Sequence, residues 1–226
     1  MNQVVTSMTN AAILSIETCF RQCHVSIYKN GKIDTLSELE GGKQTEFLLP
    51  AVQNLLKKHD LLPTDLNAVC TNVGPGTFTG IRVGISFLEG LTVFASNVKK
   101  YGVSALQAVA IESDFIDTKK EGVIISTIQA IGDKHYVQTF DVHLNQTSDI
   151  LYLDSSEIFL LIGKLKNSFH DIQIIGKYNI TGLENHNSVL CKNDIMPSSE
   201  NILKFMTKYP ELCQNDIKPL YFRDAI

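Results

Sequence analysis

Leu66 to Val73 reads as a strand, and Gly74-Pro75-Gly76-Thr77-Phe78-Thr79-Gly80-Ile81-Arg82-Val83-Gly84 follows it directly. An apolar stretch then continues to about residue 96. Two glycines and a proline between a strand and a helix dictate a tight turn, because glycine permits positive φ and close backbone approach. Thr77 or Thr79 can cap the new helix, whose free N–H groups and dipole suit an anion. Gly74, Pro75, Gly76, Thr77, Thr79 and Arg82 are therefore candidate nucleotide-contacting residues. The competing reading is a turn that only packs. A Walker A loop is excluded, since no Gly-Lys-Ser/Thr follows.

The elements around this turn can be ordered from their periodicity. Residues 12–17, 23–28 and 32–39 read as three strands, with Asn30-Gly31 as a hairpin signal between the last two. A helix follows from a Thr45 N-cap, with Phe47, Leu48, Val52, Leu55 and Leu56 as its apolar stripe. Pro50 should kink that helix or delay its regular start. Then come the strand 66–73, a helix 78–96, an extended piece 100–103 and a helix 104–113. This β-β-β-α-β-α-β-α order is that of the actin-like, sugar-kinase and Hsp70 (ASKHA) folds, an α/β class of two ribonuclease-H-like lobes.

The second half reads as a shortened copy. It has strands at 122–129, 134–142 and 147–153, a helix at 155–166, a strand at 172–176 and a last helix at 199–208. The expected division is a loose tail 1–10, a first lobe 11–103 and a second, smaller lobe 104–226 that includes the C-terminal tail.

Composition narrows the function classes. The formal net charge is −4 and the basic residues are scattered, in pairs at most. A chain that grips tRNA alone needs a basic face, so any tRNA contact is expected to be indirect. Five cysteines form no C-x-x-C pair, and no run approaches the roughly 18 apolar residues of a membrane span. The first ten residues lack the basic and apolar regions of a signal peptide. A reducing cytoplasm is the expected compartment.

Gly74 to Gly84 resembles the GPGSFTGxRxG pattern of the TsaB (YeaZ) family, whose members serve the biosynthesis of threonylcarbamoyladenosine in tRNA. Ile13 to Thr18 looks like that family's opening strand, and Thr45 to Pro50 its first helix. Gly102-Val103-Ser104-Ala105-Leu106 resembles GVSTL, and Pro219-Leu220-Tyr221-Phe222-Arg223 resembles P-x-Y-x-R. The chain departs at Glu17, where the family usually has Asp, and at Gln44, usually His. Gln129-Ala130-Ile131 stands where Asp-Ala-Arg is common.

The resemblance implies a non-catalytic accessory subunit. It would pair with TsaD, or with a second copy as a homodimer when TsaD is absent, and act with TsaE on adenosine 37 of tRNA. No membrane partner is implied. In TsaB the two first-lobe helices form the pairing surface. Here that surface would take Leu48, Val52 and Leu55 from one helix, and Gly80, Gly84, Phe87 and Leu91 from the other. Phe78 to Phe94 is apolar nearly all round, so one side can meet the sheet while the other needs a second cover. Gly80 and Gly84, four apart, would admit a partner helix; the alternative cover is the second lobe.

The related TsaD carries two metal-binding histidines at i and i+4, and the matching positions here are Ala105 and Val109. No intrinsic cofactor is expected, with ATP or ADP assigned to the TsaB–TsaD junction. The alternative function is a stand-alone ATP-binding kinase or ATPase of the same fold. Against it, Glu17-Thr18-Cys19-Phe20 replaces that fold's Asp-Gly-Thr turn.

Overall fold

The computed structural model describes residues 11–119, 121–183 and 189–221. The expected tail 1–10 lies outside them, as do Phe222 and Arg223 of the C-terminal motif. Two compact units emerge: Met1–Ala105 together with Ser198–Ile226, and Leu106–Pro197.

In the first unit, β1 (Ile13–Glu17), β2 (Cys23–Lys29) and β3 (Lys32–Glu38) form an antiparallel meander. Asn30 and Gly31 both take positive φ at its second turn. Helix α1 (Gln44–Lys58) leads to β4 (Ala68–Asn72), which pairs parallel with β1. Helix α2 (Phe78–Leu91) leads to β5 (Lys99–Val103), parallel with β4. The sheet order is β3-β2-β1-β4-β5. Alternation decides the two faces. Leu14, Ile16, Val25, Ile27 and Val69 pack with Leu48, Val52 and Leu55 of α1 and Leu88 of α2.

Helix α1 departs from the sequence reading at its start. Lys43, not Thr45, is the N-cap, and it makes no side-chain cap bond. Pro50 falls inside a helix assigned without interruption from Gln44 to Lys58. It is solvent-exposed, so water can take the carbonyl that its missing N–H leaves open. Helix α2 ends at Leu91, short of residue 96, where Thr92 caps it with its hydroxyl on the Leu88 carbonyl.

The short helix α3 (Ala105–Ala110) leads to the second unit's sheet. Strands β6 (Val123–Gln129), β7 (Lys134–Phe140) and β8 (Leu151–Asp154) form its meander. Helix α4 (Ser155–Leu165) starts on a reciprocal capping box between Asp154 and Glu157. It leads to β9 (Ile172–Lys177), parallel with β6, and then to β10 (Val189–Asn193), parallel with β9. The order β10-β9-β6-β7-β8 repeats that of the first sheet, so the actin-like α/β reading of the element order is what the chain adopts. Its core is Val123, Ile125, Val137, Ile174, Ile158 and Ile162.

Two features were not foreseen. Strand β10 has only Val189 buried, too little for a periodicity signal. Helix α5 (Ser199–Lys208), assigned by sequence order to the second lobe, packs on β1, β2 and β4 of the first. Its Ser199 hydroxyl lies 2.6 Å from that of Ser26 on β2. Residues 198–221 thus belong with the first sheet, and the lobe boundaries 11–103 and 104–226 are corrected accordingly.

Candidate functional site

The ends of β1 and β4, the glycine-rich turn and the C-terminal segment meet at one corner of the first unit. β1 ends on Glu17, 1% exposed. One oxygen of its carboxylate accepts the Cys19 N–H at 2.6 Å; the other accepts the Asn72 side-chain amide at 2.7 Å. Asn72 sits at the end of β4 and its side-chain carbonyl oxygen Oδ1 accepts the Gly74 N–H at 2.8 Å. Burial pushes Glu17 up to about 7, against the pull of these N–H donors. The Cys19 thiol is pushed up as well, by burial first and by the Glu17 charge second.

The turn itself is filled by its own lobe. Thr77 directs both its N–H and its hydroxyl to the Cys19 carbonyl, at 2.8 and 2.9 Å. The same hydroxyl accepts the Gly80 N–H at 3.2 Å and so caps α2. Gly74 has φ +116°, and a Cβ there would meet the Leu220 carbonyl. Leu220 in turn donates its N–H to Val73 at 2.7 Å. Pro75 is buried, Gly76 lies against Cys19, and Thr79 and Arg82 are exposed. Of the candidate nucleotide residues, then, Gly74, Gly76 and Thr77 serve packing and internal hydrogen bonds. Thr79 and Arg82 face outward.

The partner-facing assignment changes more. The Thr18 hydroxyl donates to the Gly80 carbonyl at 2.8 Å. A Cβ on Gly80 would run into the Thr18 carbonyl, and one on Gly84 would lie 2.7 and 2.8 Å from the hydroxyls of Thr18 and Thr71. The two glycines let α2 press on the lobe's own β1 turn and β4, which leaves no room there for a partner helix. Leu48, Val52 and Leu55 are likewise buried in the sheet-facing core. Only Phe87 and Leu91 of the expected set are half-buried, packed on the core's rim.

A different apolar set is exposed on α1 and α2 and just beyond their C-terminal ends. Leu49 and Phe78 are exposed near the starts of the helices; Leu62, Val93 and Phe94 follow their C-terminal ends. These make five of the ten exposed large hydrophobics among the described residues, and Phe94 is 94% exposed. Periodicity missed Phe94 by reading it as a further helical turn. At the other end of α2, the Arg82 guanidinium lies 3.7 Å from the Phe78 ring centre. Its Nε donates to the Tyr221 hydroxyl at 2.9 Å, and the Phe78 and Tyr221 rings stand 4.9 Å apart. The glycine-rich and C-terminal motifs, 139 residues apart at this pair, are thus one local structure.

Among the described residues, no three or more His, Cys, Asp or Glu side chains are grouped to hold a metal ion. None of the described helices is long and apolar enough to cross a membrane.

The chain is 37% identical over 98 residues to the tRNA threonylcarbamoyladenosine biosynthesis protein TsaB of Escherichia coli, a stretch covering 43% of this chain and 42% of that protein. It is 25% identical over 201 residues to the TsaB protein of Buchnera aphidicola from Schizaphis graminum, covering 86% of this chain and 92% of the relative. Over most of its length the chain is similar to TsaB proteins. The fold agrees: YeaZ from Pseudomonas aeruginosa superposes with a TM-score of 0.72 at 19% identity, over 94% of this chain and all of that one. Residues 42–151 also match a family model described as TsaD, tRNA N6-adenosine threonylcarbamoyltransferase. The alignment with the Escherichia coli relative thus spans less than half of that protein's length, while the Buchnera alignment runs through almost all of it.

Proposed function

We propose that the chain is a non-catalytic accessory subunit in the formation of threonylcarbamoyladenosine in tRNA, and that it works by docking on TsaD, with TsaE as the third component. The observation that carries this reading is the exposed apolar set on and just beyond α1 and α2, with Phe94, Val93 and Leu62 held open to solvent. Large apolar side chains left exposed favour a protein partner. The names of the TsaB relatives supply the pathway. Ala105 and Val109 stand where TsaD has its two metal-binding histidines, so the transfer chemistry is assigned to the partner.

ATP or ADP is assigned to the junction with TsaD rather than to this chain alone, because Gly74 and Thr77 already use their N–H groups inside the lobe. With a net charge of −4, tRNA is held through the complex. The test is reconstitution with purified TsaD and TsaE: modified tRNA should form with the chain and fall to background without it. Equal modification in both arms overturns the reading.

A further inference from the structure

Glu17 is a carboxylate sealed from solvent, and none of the groups acting on it is a cation. Both of its oxygens are held by N–H donors from different parts of the chain, Cys19 on its own turn and Asn72 on β4. Asn72 then holds Gly74, the first residue of the glycine-rich turn, and that turn places the N-cap of α2. A single buried carboxyl therefore links β1, β4 and the start of α2.

The other titratable groups at this corner are silent near neutrality. Burial and the Glu17 charge keep Cys19 a thiol, and Cys23 on β2, pushed up to about 12 by burial and by Glu17 and Glu38, stays one too. His24 pairs with Glu17 across the β1–β2 register; burial lowers it toward the neutral imidazole, and its Nδ1 engages the Ser37 hydroxyl. Arg21 points its Nε to the Glu40 carbonyl instead. Asn72 carries no charge. Glu17 alone can change charge there.

We propose that Glu17 and Asn72 form a proton-responsive tether, in which the protonation state of the Glu17 carboxyl sets how firmly the glycine-rich turn and the start of α2 are held to β1. An ionised carboxylate makes stronger, charge-assisted bonds to N–H donors than a neutral acid does. Losing the proton tightens the hold on Cys19 and Asn72, and through the Asn72 side-chain oxygen on Gly74. Gaining it relaxes the same chain of bonds. The inference stands independently of which protein docks on the helices.

The test is a pH titration of the full chain, labelled with carbon-13 and nitrogen-15, by nuclear magnetic resonance. It follows the Glu17 carboxyl carbon, the Asn72 side-chain amide and the Gly74 backbone amide. The expected result is one shared transition at all three sites with a midpoint above about pH 6, well beyond the ordinary glutamate range. A lower Glu17 midpoint, or Asn72 and Gly74 signals that stay flat through its transition, overturns the proposal. In Asn72→Ala, Gly74 should lose the transition while Glu17 keeps one; a Gly74 signal still following Glu17 would refute the relay. Should that variant fail to fold, the wild-type titration decides alone.

Discussion

The two sheets share one strand order, yet their matching corners differ. In the first unit, β4 runs into Gly74, Gly76 and the 14-residue α2, and the end of β1 is tied to it through Glu17 and Asn72. In the second unit, residues 178–183 after β9 form no α-helix. There β6 ends on Gln129 and runs into Ala130 and Ile131, with Ile131 77% exposed, and Lys177 at the end of β9 pairs with Asp194 at the surface. Both sheets follow from strand alternation and short turns. The first corner needs, in addition, residues that let a helix touch a strand turn and a polar pair that survives burial.

Glycines in helices give the sharpest way to break this contrast. Gly80→Leu drives a side chain into Thr18 and should cost about 3 kcal/mol or more in urea unfolding, through overpacking. Retention of wild-type stability would mean that α2 does not rest on the β1 turn.

The next effect is a pH dependence. Glu17 is raised from 4.5 to about 7 by burial. The folded state therefore holds its proton more tightly than the unfolded chain does. This contribution is fully present below about pH 4.5 and is lost as pH rises to about 7, roughly 3 kcal/mol in all. Glu17→Gln should flatten that part of the stability profile. A mutant profile parallel to the wild type across the window would place the titration elsewhere.

Smaller effects probe the rest. Gly163 lies exposed on α4, with nothing within 4 Å of an added Cβ. Gly163→Ala should stabilise the second unit by about 0.5–1 kcal/mol through helix propensity, the opposite sign to Gly80; a loss there would break the comparison from the other side. Arg82→Ala, which removes an exposed stack on Phe78 and a bond to Tyr221, should cost only about 0.5–1 kcal/mol in a thermal melt.

How much was legible follows from what each signal encodes. Alternation in Cys23–Lys29 and apolar runs in Ile13–Glu17 and Val123–Gln129 report burial on a sheet, and a threonine before an apolar helix reports a cap; Thr77 fulfilled that expectation. The same signals do not say what covers a buried face. Leu48, Val52 and Leu55 have the spacing of a buried stripe whether the cover is a partner or the chain's own sheet. Gly80 and Gly84 announce a close neighbour without naming Thr18. Helix α5 was assigned by sequence order, while the Ser26–Ser199 contact spans 173 positions. Asn72 left a usable trace, a polar residue ending an apolar strand just before a glycine, and Phe94 left another, an apolar residue beyond the last helical turn.

The central claim is that the exposed apolar set on and just beyond α1 and α2, and not the glycine side, meets TsaD. Titrating TsaD with Phe94→Asp in a calorimeter, with the melting temperature taken on the same sample, tests it most directly. A side chain this exposed contributes little to folding, so the melting temperature should hold. The affinity should fall at least about tenfold, as for an anchor residue of an interface. Wild-type affinity in a correctly folded Phe94→Asp protein would contradict the account.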